Sequence, residues 1–286
     1  MASLPGIIAL DSLTSLTEGR PEIVVGIIDG PVDTGHPDLR ETRISPVGTA
    51  TPAGCTAPSS FACMHGTFVA GIIGAQRGSQ APAIAPGCTM LVRTIFCEAP
   101  DPRQCPAVRP TDLAEALHDT IDAGAAIINL SLGANSTAIE ESPTLTAAFN
   151  RARSSGVLIV VAAGNHGRIG RADLFDHPWL VPVAACDAGG SLLRQSNLGA
   201  WIGRRGLAAP GTGVLSTVPG QGYTTMSGTS VAAPFVTATA ALLWSVKPSA
   251  TAATIRRALL IPGIRRRSIV PPTLNAAASL AALQSL

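Results

Sequence analysis

Five nearly unbroken aliphatic runs constrain this chain more than any other feature. They are Glu22–Asp29 (EIVVGIID), Thr89–Phe96 (TMLVRTIF), Ala125–Leu132 (AAIINLSL), Val157–Ala163 (VLIVVAA) and Leu180–Ala185. A strand with one wet face alternates apolar and polar residues, whereas a strand covered on both faces reads as a continuous apolar run. Between the runs lie helical patterns at Gly66–Ala75, Thr111–Ala123 and Ser142–Ser155. Thr111, followed by Asp112 and Glu115, is a start signal, and Gly124 is a stop. Strands alternating with helices predict an α/β fold, a doubly wound and mostly parallel sheet with helices on both faces. Such sheets bind ligands beyond the carboxyl ends of their strands. The polar residues best placed for chemistry are therefore Asp29, Ser131 to Gly133, and Asn165. There is no internal repeat, and the Pro- and Cys-rich stretches near 46–63 and 97–110 read as surface loops, so residues 1–286 are expected to form a single domain.

Composition narrows the function classes. Hydrophobic residues at 46% against 13% charged exclude intrinsic disorder, and 3% aromatics predict a core of small aliphatics. The formal net charge of +2 is too near neutral for an electrostatic nucleic-acid binder. Lys247 is the single Lys among the 20 cationic residues, and the run Arg265-Arg266-Arg267 reads as a solvated face. No membrane span is expected, because the most apolar stretch, Val231 to Val246, is broken by Pro234 and several Ser and Thr. Pro5 and Asp11 interrupt the apolar start that a signal peptide needs, so a cytoplasmic location is expected, or a secreted one if the native chain begins further upstream. Six cysteines, at 55, 63, 88, 97, 105 and 186, can pair in fifteen ways. The short separations 55 to 63 and 97 to 105 suit small closed loops; reduced thiols suit the sequence equally well.

Three short segments carry chemistry. Asp29-Gly30-Pro31-Val32-Asp33 closes the first buried run, where a carboxylate needs a donor such as an imidazole. His65-Gly66-Thr67 opens a helical pattern, and the positive end of the helix dipole there favours the neutral ring that a general base requires. Gly228-Thr229-Ser230-Val231-Ala232-Ala233-Pro234 precedes a long aliphatic helix. Small residues beside Ser230 let a substrate backbone approach, and free N–H groups at a helix start suit a developing oxyanion. Singly, the Asp29 segment reads more readily as a turn or cap and His65 as a structural histidine, and Ser230 reads also as a helix cap.

Together, in this order, they resemble the subtilisin-like serine peptidases over nearly the whole chain. The resemblance implies Ser230 as nucleophile, His65 as general base and acid, and Asp29 as the residue orienting the imidazole. Ala162-Ala163-Gly164-Asn165 matches a fourth segment. It implies Asn165 as the oxyanion donor, whose loss in subtilisin itself costs about 10²–10³ in turnover. Ser131-Leu132-Gly133, with Ala162, Ala163 and Gly164, resembles the edges that bind an extended peptide or protein substrate.

Departures from the common pattern refine this. DGPVD and HGTF replace the commoner DTG or DSG and HGTH. With the opening LPGIIALDSLTSLTEG they are similar to the PatA-like proteases of cyanobactin biosynthesis, which cut the leader from a ribosomally made precursor. Only 28 residues precede Asp29, leaving no room for a folding propeptide, and the 35 residues between Asp29 and His65 leave none for the inserted element of the related macrocyclases. Hydrolysis is expected. Asp38 matches a calcium ligand of many secreted subtilisins, but the loop Gln76-Arg77-Gly78-Ser79-Gln80 offers no carboxylate, so no calcium or other cofactor is expected. Asp176, eleven residues after Asn165, matches the pocket floor that selects basic residues in the furin- and kexin-like branch; the alternative is a solvated carboxylate in a differently folded loop. The leading function is thus a precursor-processing serine endopeptidase. The alternatives are a degradative or secreted subtilisin and a non-catalytic peptide-binding relative.

Overall fold

The computed structural model describes residues 4–48, 54–99, 105, 107–131, 142–170, 176–260 and 268–286. Seven strands form one sheet: β1 (Val24–Asp29), β2 (Arg43–Pro46), β3 (Thr89–Thr94), β4 (Ile127–Leu130), β5 (Leu158–Ala162), β6 (Val181–Cys186) and β7 (Leu207–Pro210). Their order is β2-β3-β1-β4-β5-β6-β7, and every neighbouring pair is parallel. Strand order reverses direction at β1, so the crevice beyond the ends of β1 and β4 is the switch point where such a sheet binds ligands. A separate antiparallel hairpin joins β8 (Val214–Val218) to β9 (Gly222–Met226).

Helices α1 (Leu4–Ile7), α2 (Asp11–Thr14), α3 (Phe61–Gly74), α4 (Pro110–Asp122), α5 (Pro143–Ser154), α6 (Ala200–Arg205), α7 (Thr229–Val246), α8 (Ala252–Leu259) and α9 (Ala276–Ser285) surround the sheet. Adjacent residues of β1 serve opposite layers, as the two-residue period of a strand requires. Ile27 packs with Phe68 and Ile72 of α3 and with Phe235 of α7. Ile28 belongs to the opposite core cluster, with Leu113 and Leu117 of α4, Phe149 of α5 and Trp201 of α6. Both faces are therefore covered, which explains why the strands lack polar alternation.

Of the residues in α7, only Ser230 and Val246 are not buried. Among the described residues α7 alone is long and apolar enough to cross a membrane, and it is the enclosed core helix of the fold. The expected runs match the strands to within a few residues. The expected helix at Gly66 instead begins at Phe61, where the Ser60 hydroxyl caps the Cys63 N–H at 3.1 Å. Strands β2, β7, β8 and β9 were not anticipated: β2 is a short, mostly exposed edge, and the hairpin strands are rich in Ser, Thr and Gly.

Candidate active site

Asp29 ends β1 completely buried, and its Oδ1 accepts from the Gly30 N–H at 2.6 Å and from His65 Nδ1 at 2.7 Å. Among the described residues its second oxygen, Oδ2, has no hydrogen-bond partner. Glycine allows this approach of helix to strand end. A Cβ on Gly30 would strike the Ala62 carbonyl, and one on Gly66 would strike the Gly30 carbonyl. With Nδ1–H committed to Asp29, the neutral ring presents its lone pair at Nε2.

His65 lies in the second turn of α3, not at its start, so the expected dipole effect on its charge is displaced by nearer groups. Burial disfavours the imidazolium, but the Asp29 charge and hydrogen bond outweigh it and leave His65 above the ordinary histidine value. A base with raised affinity for a proton, oriented by a buried carboxylate, is suited to taking a hydroxyl proton and returning it.

Ser230 is the second residue of α7 and half-buried. Gly228, the residue before this helix, has φ +147° and no side chain to cap it, and a Cβ there would crowd the Asn165 amide. Asn165, three residues beyond β5, supplies the cap from outside: its Oδ1 accepts from the Thr229 N–H at 2.8 Å. Because an N–H can only donate, the oxygen must face Thr229, and the Asn165 NH₂ is left as a donor. The Gly164 N–H in turn bonds the Thr229 hydroxyl at 3.0 Å, fixing the Ala162-Ala163-Gly164 segment against the start of α7. The N–H groups of Val231 and Ala232 both turn to the Gly228 carbonyl, whereas nothing among the described residues accepts from the Ser230 N–H.

Pro234 lies inside α7 and has no N–H, so the Ser230 carbonyl four residues earlier lacks its helical donor. The Ser131 hydroxyl supplies one at 3.0 Å. It accepts in turn from Asn129 Nδ2 at 2.7 Å, and Asn129 Oδ1 accepts from the Thr237 hydroxyl at 2.9 Å. This buried chain ties the first turn of α7 to the end of β4. Sequence reasoning singled out Ser131 as a peptide-lining residue but missed Asn129 and Thr237, whose polar side chains inside apolar elements were the available signal. Leu132, Gly133 and the Arg265–Arg267 run lie outside the described residues.

Asp29, Ser131 and Asn165 thus stand at or just past the ends of three adjacent strands, and α3, which carries His65, packs against α7, which carries Ser230. Against known families, residues 20–261 match the Subtilase family. The chain belongs to that family.

The subtilase is 34% identical over 239 residues to "Thermophilic serine proteinase" of Bacillus sp. (strain AK1), spanning 82% of this chain and 55% of that one. It is 30% identical over 244 residues to "Subtilisin DY" of Bacillus licheniformis, covering 83% and 82%. Among solved structures it is similar to the protease domain of PatA (33% identity, TM-score 0.83, 95% and 98% of the two chains) and to the prenylagaramide maturation protease PagA (29%, TM-score 0.81, 96% and 98%). By family and fold it belongs with the subtilisin-like serine peptidases, and it spans only about a third to three fifths of the length of several curated relatives it matches.

Two expectations about this subtilase need revision or detail. The Asp176 proposal required a buried carboxylate lacking a counter-charge. The structure shows Asp176 exposed, with its carboxylate paired to Arg205 of α6, so the chain itself supplies a counter-charge, as in the solvated-carboxylate alternative. At Asp38, the carboxylate accepts from the Tyr223 hydroxyl, and the N–H donates to His36 Nδ1 at 3.2 Å. His36 Nε2 then meets the Gly222 carbonyl at 3.1 Å, so this side-chain group ties the β9 strand to the loop that carries Asp38.

The cysteine question is also decided: Cys55–Cys63 and Cys97–Cys105 are disulfides, while Cys88 and Cys186 are free and buried. Burial pushes the Cys186 thiol up to about 11, leaving it inert. Cys55, Cys63 and Glu98 lie together, but a disulfide occupies both sulfurs and Glu98 binds Thr56 and Ala57, so that group is a poor metal donor set.

Proposed function

We propose that this subtilase is a serine endopeptidase that removes the leader from a ribosomally made precursor peptide. The supporting observation is the buried Asp29–His65 bond on α3, a helix that packs against α7, at whose start Ser230 alone is not buried and Asn165 keeps an amide donor without a partner among the described residues. In this reading an extended substrate lies along the Ser131 and Ala162–Gly164 edges. Ser230 Oγ attacks the scissile carbonyl while His65 Nε2 takes its proton, and Asp29 holds the imidazolium. The oxyanion receives the Ser230 N–H and an Asn165 N–H. His65 then protonates the departing amine, and water, activated by the same imidazole, releases the acyl group and restores the serine.

The processing role draws on the DGPVD segment and on likeness to two maturation proteases. The test is incubation with precursor peptides and, separately, denatured casein, read by mass spectrometry beside Ser230→Ala. One or two cuts at a leader boundary with casein spared support processing. Broad casein digestion supports the degradative alternative. Failure of a fluorophosphonate to label Ser230 would overturn the peptidase reading itself.

A further inference from the structure

Phe61 opens α3 with 58% of its surface exposed, an unusual setting for a phenyl ring at the edge of a site. It is one helical turn before His65 and therefore on the same face. The two ring centroids are 5.6 Å apart with planes inclined at 34°. The turn that carries it is firmly held. Ser60 caps Cys63, the Cys55–Cys63 disulfide braces the segment, and Glu98 accepts from the Thr56 and Ala57 N–H groups. Glu98 follows β3, so the Phe61 turn is fastened on the β3 side of β1. The Ser131 and Asn165 contacts to α7 are on the β4–β5 side.

This division selects a substrate position. Successive side chains of an extended peptide point in opposite directions. If the residue just before the cut points between the Ser131 and Ala162–Gly164 edges, the residue before it points towards His65 and the β3 side. We propose that Phe61 is a specificity-determining residue: its ring packs against an apolar side chain at the second substrate position before the cut. The inference rests on the peptidase reading above and adds to it a residue and a preference.

The experiment compares kcat/KM for one cleaved peptide carrying Leu, Phe, Ser, Glu or Arg at that position, using the wild type, Phe61→Ala and Phe61→Glu. The wild type is expected to favour Leu and Phe over Ser by about tenfold, the low end for a hydrophobic contact in a site. Phe61→Ala should collapse that ratio, and Phe61→Glu should move the preference to Arg. Circular dichroism confirms that each variant folds. An unchanged ratio in Phe61→Ala, or changes confined to residues after the cut, overturns the assignment while leaving the peptidase reading intact. No turnover of any peptide or precursor by the wild type overturns both.

Discussion

Replacing Ser131 by alanine probes the joint between β4 and α7. The substitution removes the hydroxyl that donates to the Ser230 carbonyl and accepts from Asn129. Two polar groups then lose their partner, and each costs about 1–3 kcal/mol if it stays buried. Asn129 is fully buried, whereas Ser230 is half-buried and its carbonyl is closer to water. The expected loss is therefore about 2–4 kcal/mol, measured from the urea unfolding midpoint at constant slope. A second background makes the origin of that loss testable. Pro234→Ala restores an N–H four residues after Ser230 and so gives its carbonyl the helical donor that proline withholds. In that background Ser131→Ala should cost about 1–2 kcal/mol less, because only the Asn129 amide remains unpaired. Turnover should follow the same order, since a displaced Ser230 backbone moves both nucleophile and N–H donor. An equal cost of Ser131→Ala in the two backgrounds would refute the compensation between Pro234 and Ser131.

Three further outcomes are expected. The acid limb of kcat/KM should lie above the ordinary histidine value of about 6.5, because the neutral base is lost as pH falls through the raised His65 value. Asn in place of Asp29 should move that limb to lower pH and reduce turnover by about 10⁴, measured from a pH–rate profile. In thermodynamic terms the raised value makes His65 favour the folded state below the unfolded histidine value, a contribution lost as pH rises through the folded value. Asn165→Ala should reduce kcat by about 10²–10³ and also remove the cap on Thr229, costing about 1 kcal/mol. Asn165→Asp keeps the capping oxygen but not the donor, so it should lose kcat while retaining stability in urea. Chelation with EDTA should leave the thermal midpoint unmoved, whereas Tyr223→Phe should lower stability by about 1–2 kcal/mol by removing the donor to Asp38.

Particular residues show where the sequence was legible. The continuous run Val24–Asp29 could be read as a strand because both faces of a central parallel strand meet helices, and that burial leaves its mark on every residue. Asp29, His65, Asn165 and Ser230 could be placed in order because each lies at or within a few residues of the end of such an element. The start of α3 was misjudged by five residues: its first turn, Phe61 to Met64, depends on a cap at Ser60 and a brace at Cys55 that carry no periodic signal. Asp176 was left open between a pocket floor and a solvated carboxylate for a related reason. Spacing along a loop does not specify its path, and its charged partner is Arg205, 29 positions away.

The local pattern of apolar and polar residues thus determined the α/β class, and the resemblance of four short motifs to those of the subtilisin-like peptidases pointed to the family and to the candidate residues, since burial and motif spacing act on neighbours along the chain. Tertiary structure alone decided which groups satisfy one another. Asn165 caps a helix 64 positions later, Ser131 supplies a bond that Pro234 cannot make, and Tyr223 holds Asp38. Hydrogen bonding is demanded of every buried polar group, but the partner is whichever group the folded backbone brings within about 3 Å.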